Sequence, residues 1–191
     1  MFSVQARNLA ALIVSGYFIG FALILIDPSG FLLVAMLQEN EAVLHGAVWQ
    51  LFTSIIVAPP DLYPGLIDVA FNALSVLYLD RLVSGVYTQA EYYGVFLSSA
   101  VAGNVISLLG GPSQASFGAS GGIFGLVAGL VAYDYAASGR PNLQLVLWFL
   151  LIFVASSFLL PGVDWFAHSG GALVGLALGY QLGRRSRHAE Y

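Results

Sequence analysis

Between Leu9 and Leu182 the chain carries six apolar runs, each near the ~20 residues a helix needs to cross the hydrocarbon core of a bilayer. They are Leu9 to Ile26, Leu66 to Leu79 with its flanks, Tyr92 to Leu109, Phe117 to Tyr135, Leu143 to Leu160 and Trp165 to Leu182. In lipid every backbone N–H and C=O must be satisfied internally, so runs of this length are helices. Composition agrees, with 59% hydrophobic residues, 8% charged and a mean hydropathy of +0.85. Soluble domains carry about a quarter charged residues, and so few charges could not cover a water-facing surface. The expectation is an all-α polytopic membrane protein, a six-helix bundle forming a single domain over residues 1–191 in the lipid bilayer. The first run has no small-residue cleavage site after it, so it reads as a span and not a cleaved leader. There is no cysteine, which excludes disulfides and thiolate chemistry, and nothing points to nucleic acid.

The arginines set the orientation. Arg7, Arg81, Arg140, Arg184, Arg185 and Arg187 are the only basic Lys/Arg residues, and six spans place all of them on one side. By the positive-inside rule that side is cytoplasmic, so a multi-pass cell-membrane protein with both termini in the cytoplasm is expected. Asp27, Glu39, Glu41, Asp61 and Asp164 fall on the other side. The segment from Asp27 to Gly65 is long and mixed. Ala42 to Val57 is apolar enough to suggest a seventh span, but a crossing there would put Arg7 on the wrong side. A large interfacial, partly helical loop between the first two spans is expected instead, with Trp49 and Phe52 at headgroup level.

Two matched patterns carry chemistry. Gly121, Gly125 and Gly129 recur every four residues, and so do Gly171, Gly175 and Gly179. Such stripes let helices approach closely in lipid. Ser120 opens the first stripe, and His168 stands three residues before the second, at the same depth. Close packing of the two spans would bring them together. A serine hydroxyl becomes a useful nucleophile only when a base within hydrogen-bond reach takes its proton, and neutral imidazole suits that task. The bland alternatives are a serine that caps or packs a helix and a histidine held in a polar interior. A histidine within a span is nevertheless a functional candidate by default. The string Gly118-Ala119-Ser120-Gly121-Gly122 also fits G-x-S-x-G, but that elbow needs a strand before its helix, and here the setting is a membrane helix.

Gly118-Ala119-Ser120-Gly121-Gly122-Ile123-Phe124-Gly125 resembles the nucleophile motif of the rhomboid intramembrane serine proteases. Ala167-His168-Ser169-Gly170-Gly171, with Gly175, resembles that family's histidine helix. Trp49-Gln50 resembles the family's Trp-Arg element, with Gln50 where arginine is usual. Phe71-Asn72 resembles the oxyanion asparagine, and Pro161-Gly162-Val163-Asp164 the loop that caps the site. Together these span residues 45 to 180. The resemblance implies a serine endopeptidase that cleaves transmembrane protein substrates near the outer membrane face with a Ser120–His168 dyad. It implies no cofactor and no metal. Asn72 and the Ser120 N–H would bind the oxyanion, Phe124 would orient the His168 ring, and Gly118 would belong to the same nucleophile loop. Asp164 is a possible third member, but its place in the capping loop suggests a solvated residue. The polar stretch Gly110 to Gln114 reads as a flexible entrance.

One position departs from the pattern. Many rhomboids have histidine four residues before the oxyanion asparagine, and this chain has Asp68. An ionised carboxylate there would oppose a developing oxyanion, so Asp68 is either protonated, turned away, or used to cap the second span near its start, and of these the capping role is expected. Two other classes are open. The first is a catalytically silent rhomboid-like protein that binds client transmembrane helices, for which Asp68 and Gln50 speak. The second is a small transporter using Asp68, Asn72 and His168 as a polar path, against which the nearly charge-free inner halves of the spans speak. His45 reads as a loop residue and His188 as a solvated tail residue; neither has further ligands at metal-binding spacing.

Overall fold

The computed structural model describes residues 2–83, 85–156 and 163–189. The end of the fifth expected span, residues 157–160, and Pro161-Gly162 of the expected capping loop lie outside the described residues. The chain is helical. In order it forms α1 (Val4–Ile26), α2 (Phe31–Val34), β1 (Gln38–Glu39), α3 (Asn40–Leu44), α4 (Gln50–Thr53), α5 (Ile67–Val83), α6 (Gln89–Ser107), β2 (Ala115–Ser116), α7 (Ser120–Ser138), α8 (Leu143–Val154) and α9 (Trp165–Ala189). A wide π-type turn, Leu62–Leu66, leads into α5.

Among the described residues, four helices are long and apolar enough to cross a membrane, over Val4–Ile26, Leu62–Leu82, Gln89–Gly110 and Ser120–Ser138. They make the chain a multi-pass membrane protein. α8 is apolar but shorter within the described residues. α9 has 25 residues, and its glycines, His168, Gln181 and arginines dilute its apolar character. The residues divide into two compact units, 2–83 with Ser107–Ser120, and Gly85–Ile106 with 121–189.

In the first unit α1 buries Ala6, Leu9, Ala10, Ile13, Gly16 and Gly20, a stripe of three- and four-residue steps along one face. Leu12, Phe18, Leu25 and Ile26 on its other sides are exposed, as lipid-facing residues are. Gly16 and Gly20 are needed for close approach. A Cβ on Gly16 would lie 1.7 Å from the Ile56 carbonyl oxygen, and one on Gly20 2.1 Å from that of Ala58. Ser3 caps α1 by accepting the Ala6 N–H at 3.2 Å. Ser3 is itself tied to Asp80 near the end of α5, through its N–H at 2.7 Å and through its hydroxyl.

The segment between α1 and α5 holds no long helix; it is a chain of short turns fastened by side chains. Trp49 Nε1 donates to the Ala35 carbonyl at 2.9 Å, and Thr53 Oγ1 to that of Met36 at 2.7 Å. Trp49 and Phe52 are exposed. Gln50 is buried; its Oε1 accepts the Glu39 N–H at 2.9 Å, and its Nε2 donates to the Val34 carbonyl at 3.4 Å. β1 and β2 pair antiparallel, Gln38 with Ser116 and Glu39 with Ala115. The stretch Gly110 to Gln114, expected to be a flexible entrance, is instead pinned. Asn40 Nδ2 donates to the carbonyls of Ser107 at 2.7 Å and Gly111 at 3.0 Å, and the Asn40 N–H donates to Gln114 at 3.0 Å. Asn40→Ala would remove these two side-chain bonds and the one its Oδ1 accepts from Gln38 Nε2 at 2.8 Å, leaving buried polar groups unmet. We expect it to cost about 1–3 kcal/mol, read from the thermal unfolding midpoint in detergent.

In the second unit α7 is buried on most of its surface, from Gly121 to Leu130 without a break. The glycine stripes meet backbone to backbone. A Cβ on Gly171 would lie 2.0 Å from the Gly121 carbonyl oxygen, on Gly175 2.1 Å from that of Gly125, and on Gly179 1.9 Å from that of Gly129. The partners advance together in steps of four, so α7 and α9 run parallel. α6 closes a further side, with Phe96 against Gly122, Ser99 against Gly125 and Gly103 against Ala167. Without a hydrophobic drive between helices in lipid, this tight packing is what holds the unit together.

Candidate active site

Asp68 and Asn72 stand one turn apart on the same face of α5. Asn72 is 1% exposed, and its Nδ2 donates to Asp68 Oδ2 at 2.7 Å. Its Oδ1 is buried and meets no hydrogen-bond partner among the described residues. The other side of Asp68 lies over Gly118, where a Cβ would sit 2.6 Å from Oδ2. Gly118 has φ +106°, a conformation that disfavours side chains, and its N–H donates to the Ser54 carbonyl at 2.8 Å. Two residues later half-buried Ser120 opens α7.

This corrects the expectation that Asp68 caps the second span. The entry to α5 is held by Asp61, whose Oδ1 accepts the Gly65 N–H at 2.7 Å. Asp68 turns to Asn72 and the Gly118 loop instead. Gly118 therefore has two reasons to be glycine, its backbone angle and the carboxyl against it. Gly118→Ala should cost about 1–3 kcal/mol from backbone strain alone and should displace the loop before Ser120. A normal unfolding midpoint with unchanged reactivity of Ser120 would refute that expectation.

His168 lies in the first turn of α9 and is 4% exposed. The Phe124 ring packs on it with centroids 4.4 Å apart at 44°. Phe153 and Phe149 hold Phe124 in turn, edge-on at 5.3 and 6.4 Å. One face of the imidazole is thus set against an aromatic cluster, which limits how the ring can turn. Asp164, expected to be solvated, is 8% exposed. Its Oδ1 accepts the Ala167 N–H at 3.1 Å, and its carbonyl accepts the His168 N–H at 3.2 Å. It caps the helix that carries His168, since free N–H groups at a helix start attract a carboxylate.

The structure thus groups Asp68, Asn72 and Gly118 in one unit, and Phe124 and His168 in the other. Ser120 is bonded to Gly121, which touches Gly171 of α9. Among the described residues no three His, Cys, Asp or Glu side chains gather as a metal site. The amide of Asn72 has a second N–H free to meet an anionic oxygen. One contributor was not legible in the chain, the Ser54 carbonyl that receives the Gly118 N–H. Neither residue type nor spacing marks a hydrogen bond between segments so far apart.

The family described as Rhomboid domain matches residues 45–185. Rhomboid-type serine protease 2 of Emericella nidulans is 35% identical over 129 residues, covering 64% of this chain and 25% of that protein. Rhomboid protease GluP of Bacillus subtilis is 26% identical over 152 residues, covering 76% of this chain and 28% of that protein. RHOMBOID-like protein 4 of Arabidopsis thaliana is 28% identical over 164 residues, covering 83% and 40%. The aligned chain thus spans between a quarter and two fifths of the length of these relatives.

Proposed function

The chain belongs to the rhomboid family, and on that basis we propose that it is an intramembrane serine endopeptidase that cleaves transmembrane helices of other proteins with Ser120 and His168. The observation that carries the reading is the glycine seam of α7 and α9. Its first contact, Gly121 on Gly171, is one residue after Ser120 and three after His168.

In this mechanism His168 takes the Ser120 proton as Oγ attacks the scissile carbonyl. The tetrahedral oxyanion is met by the Asn72 amide and the Ser120 backbone N–H, where one such donor is worth about 3–4 kcal/mol. His168 then gives its proton to the leaving amine; in the second half it takes a proton from water as that water attacks the acyl carbonyl, and returns it to Ser120 Oγ as the ester bond breaks. Phe124 packs on the imidazole and limits how the ring can turn. The substrate helix must unwind locally, so small or helix-breaking residues near its outer end are favoured.

A fluorophosphonate probe tests the nucleophile in detergent. Wild type is expected to label, and Ser120→Ala and His168→Ala are not. Labelling that persists in Ser120→Ala would remove the assignment. A second reading, a silent protein that binds client helices, draws on the Asp68 carboxyl beside Asn72. It predicts no labelling and no cleavage of a transmembrane substrate by any form.

The proposal includes six spans with both termini cytoplasmic, in the cell membrane. The absence of cysteine makes this simple to test. A single cysteine at Ser113 should react with a membrane-impermeant maleimide added to intact cells, and one at Ser186 should react only after lysis. Reaction at Ser186 in intact cells would overturn the orientation.

A further inference from the structure

We infer that Asp68 is a positioning residue for Asn72, fixing which edge of the amide faces the Ser120 loop, and that it does so as a hydrogen-bond acceptor and not through its charge. The inference rests on the protease reading above and deepens its oxyanion side. Three observations carry it.

The first is direction. Asn72 Nδ2 donates to Asp68 Oδ2 at 2.7 Å. The carboxyl oxygen accepts, so it holds the nitrogen edge of the amide toward Asp68. The second is cost. Asn72 is 1% exposed and its Oδ1 is left in the interior without a partner among the described residues. A free amide would rotate to relieve a buried, unmet oxygen. Holding it this way leaves one N–H on Asp68 and a second N–H on the same nitrogen for another acceptor. The third is the seat. The Asp68 carboxyl rests over Gly118, in space that any side chain there would fill. It is thereby fixed on both sides, by α5 and by the loop two residues before Ser120.

Charge cannot be the useful property. A carboxylate near a developing oxyanion repels it, and an amide nitrogen already bonded to an anion is a poorer donor through its other hydrogen. Asparagine at 68 keeps an acceptor of the same shape and removes the charge. Alanine or leucine removes the acceptor.

The test measures kcat and KM for a cleavable transmembrane substrate in liposomes, with Ser120→Ala as the zero. Asp68→Ala is expected to lower kcat by about tenfold or more, a part of the 10²–10³ attached to a whole oxyanion donor, with KM within about twofold. Asp68→Asn should recover kcat to within about threefold of wild type or exceed it. In an Asn72→Ala background Asp68→Ala should add almost nothing, since its only route is through the amide. Should Asp68→Ala fail to fold, Asp68→Leu, branched at the same carbon and with no acceptor, replaces it.

Three results would overturn the inference. One is full kcat in Asp68→Ala or Asp68→Leu while Asn72→Ala is impaired. Another is an undiminished effect of the Asp68 substitution when Asn72 is already alanine. The third is an Asp68→Asn variant as impaired as Asp68→Ala, which would make charge the operative property. If wild type shows no cleavage beyond Ser120→Ala and no probe labelling, the protease reading itself falls and this inference with it. The Ser120 control keeps that failure distinct from the other three.

Discussion

Ser120→Ala, His168→Ala and the double variant should all fall to the same floor of substrate cleavage, roughly ten-thousandfold below wild type. The reason is that in the proposed dyad nucleophile and base act as one unit. Without the imidazole the hydroxyl keeps its proton, and without the hydroxyl the imidazole has nothing to activate. Residual rate would come only from substrate binding and the oxyanion donors. The measurement is turnover of a transmembrane substrate in liposomes, alongside unfolding midpoints to show that the variants are folded. A double variant that falls by the product of two independent losses would mean that the residues act separately. Retained turnover in Ser120→Ala would discard the dyad. Phe124 gives a graded companion to this result. It packs on His168 at 4.4 Å and is 3% exposed, so Phe124→Leu should slow turnover while sparing most of the fold.

The second large effect concerns stability. Gly175→Ala adds one methyl group, yet its carbon would lie 2.1 Å from the Gly125 carbonyl oxygen and 2.5 Å from Gly125 Cα. Those are backbone atoms of a buried helix, and they cannot swing aside as a side chain does. α7 and α9 would have to separate, which also loosens the contacts of Gly121 with Gly171 and of Gly129 with Gly179. Overpacking a core usually costs about 1–3 kcal/mol, and this site should reach or exceed the upper end. The same substitution at Gly94 is the control, because nothing lies within 4 Å of the added carbon. Gly94→Ala should be neutral or slightly stabilising, since glycine within a helix costs about 0.5–1 kcal/mol relative to alanine. Denaturant or thermal unfolding in detergent reads both. Equal midpoints for the two variants would show that the seam is looser than its geometry.

How much of this was legible in the chain differs from residue to residue. The bilayer is a uniform solvent of fixed thickness, so the apolar runs announce helices by length alone. Among the described residues, four of them form helices long and apolar enough to span. The glycine stripes were legible for a similar reason. A four-residue period places small residues on one helical face, and in lipid such a face has little use except close packing. Gly121, Gly125 and Gly129 do meet Gly171, Gly175 and Gly179. Rhomboid membership was legible from motifs around Ser120 and His168, and the family match over residues 45–185 agrees.

Individual polar side chains were read less well. Asp68 looked like a helix cap, because an aspartate near a helix start most often is one; Asp61 holds that place and Asp68 holds Asn72. Asp164 looked solvated and instead caps α9 from a buried position. Gly110 to Gln114 looked like a free linker, and Asn40 fastens it from about seventy residues away. By itself the sequence determined the solvent, the helical class and the faces on which two helices can meet, because these follow from length and period along one segment. Only the tertiary structure decided where each buried polar group finds its partner. Those hydrogen bonds join distant segments, follow no period, and depend on angles and distances of a few tenths of an ångström that no local pattern encodes.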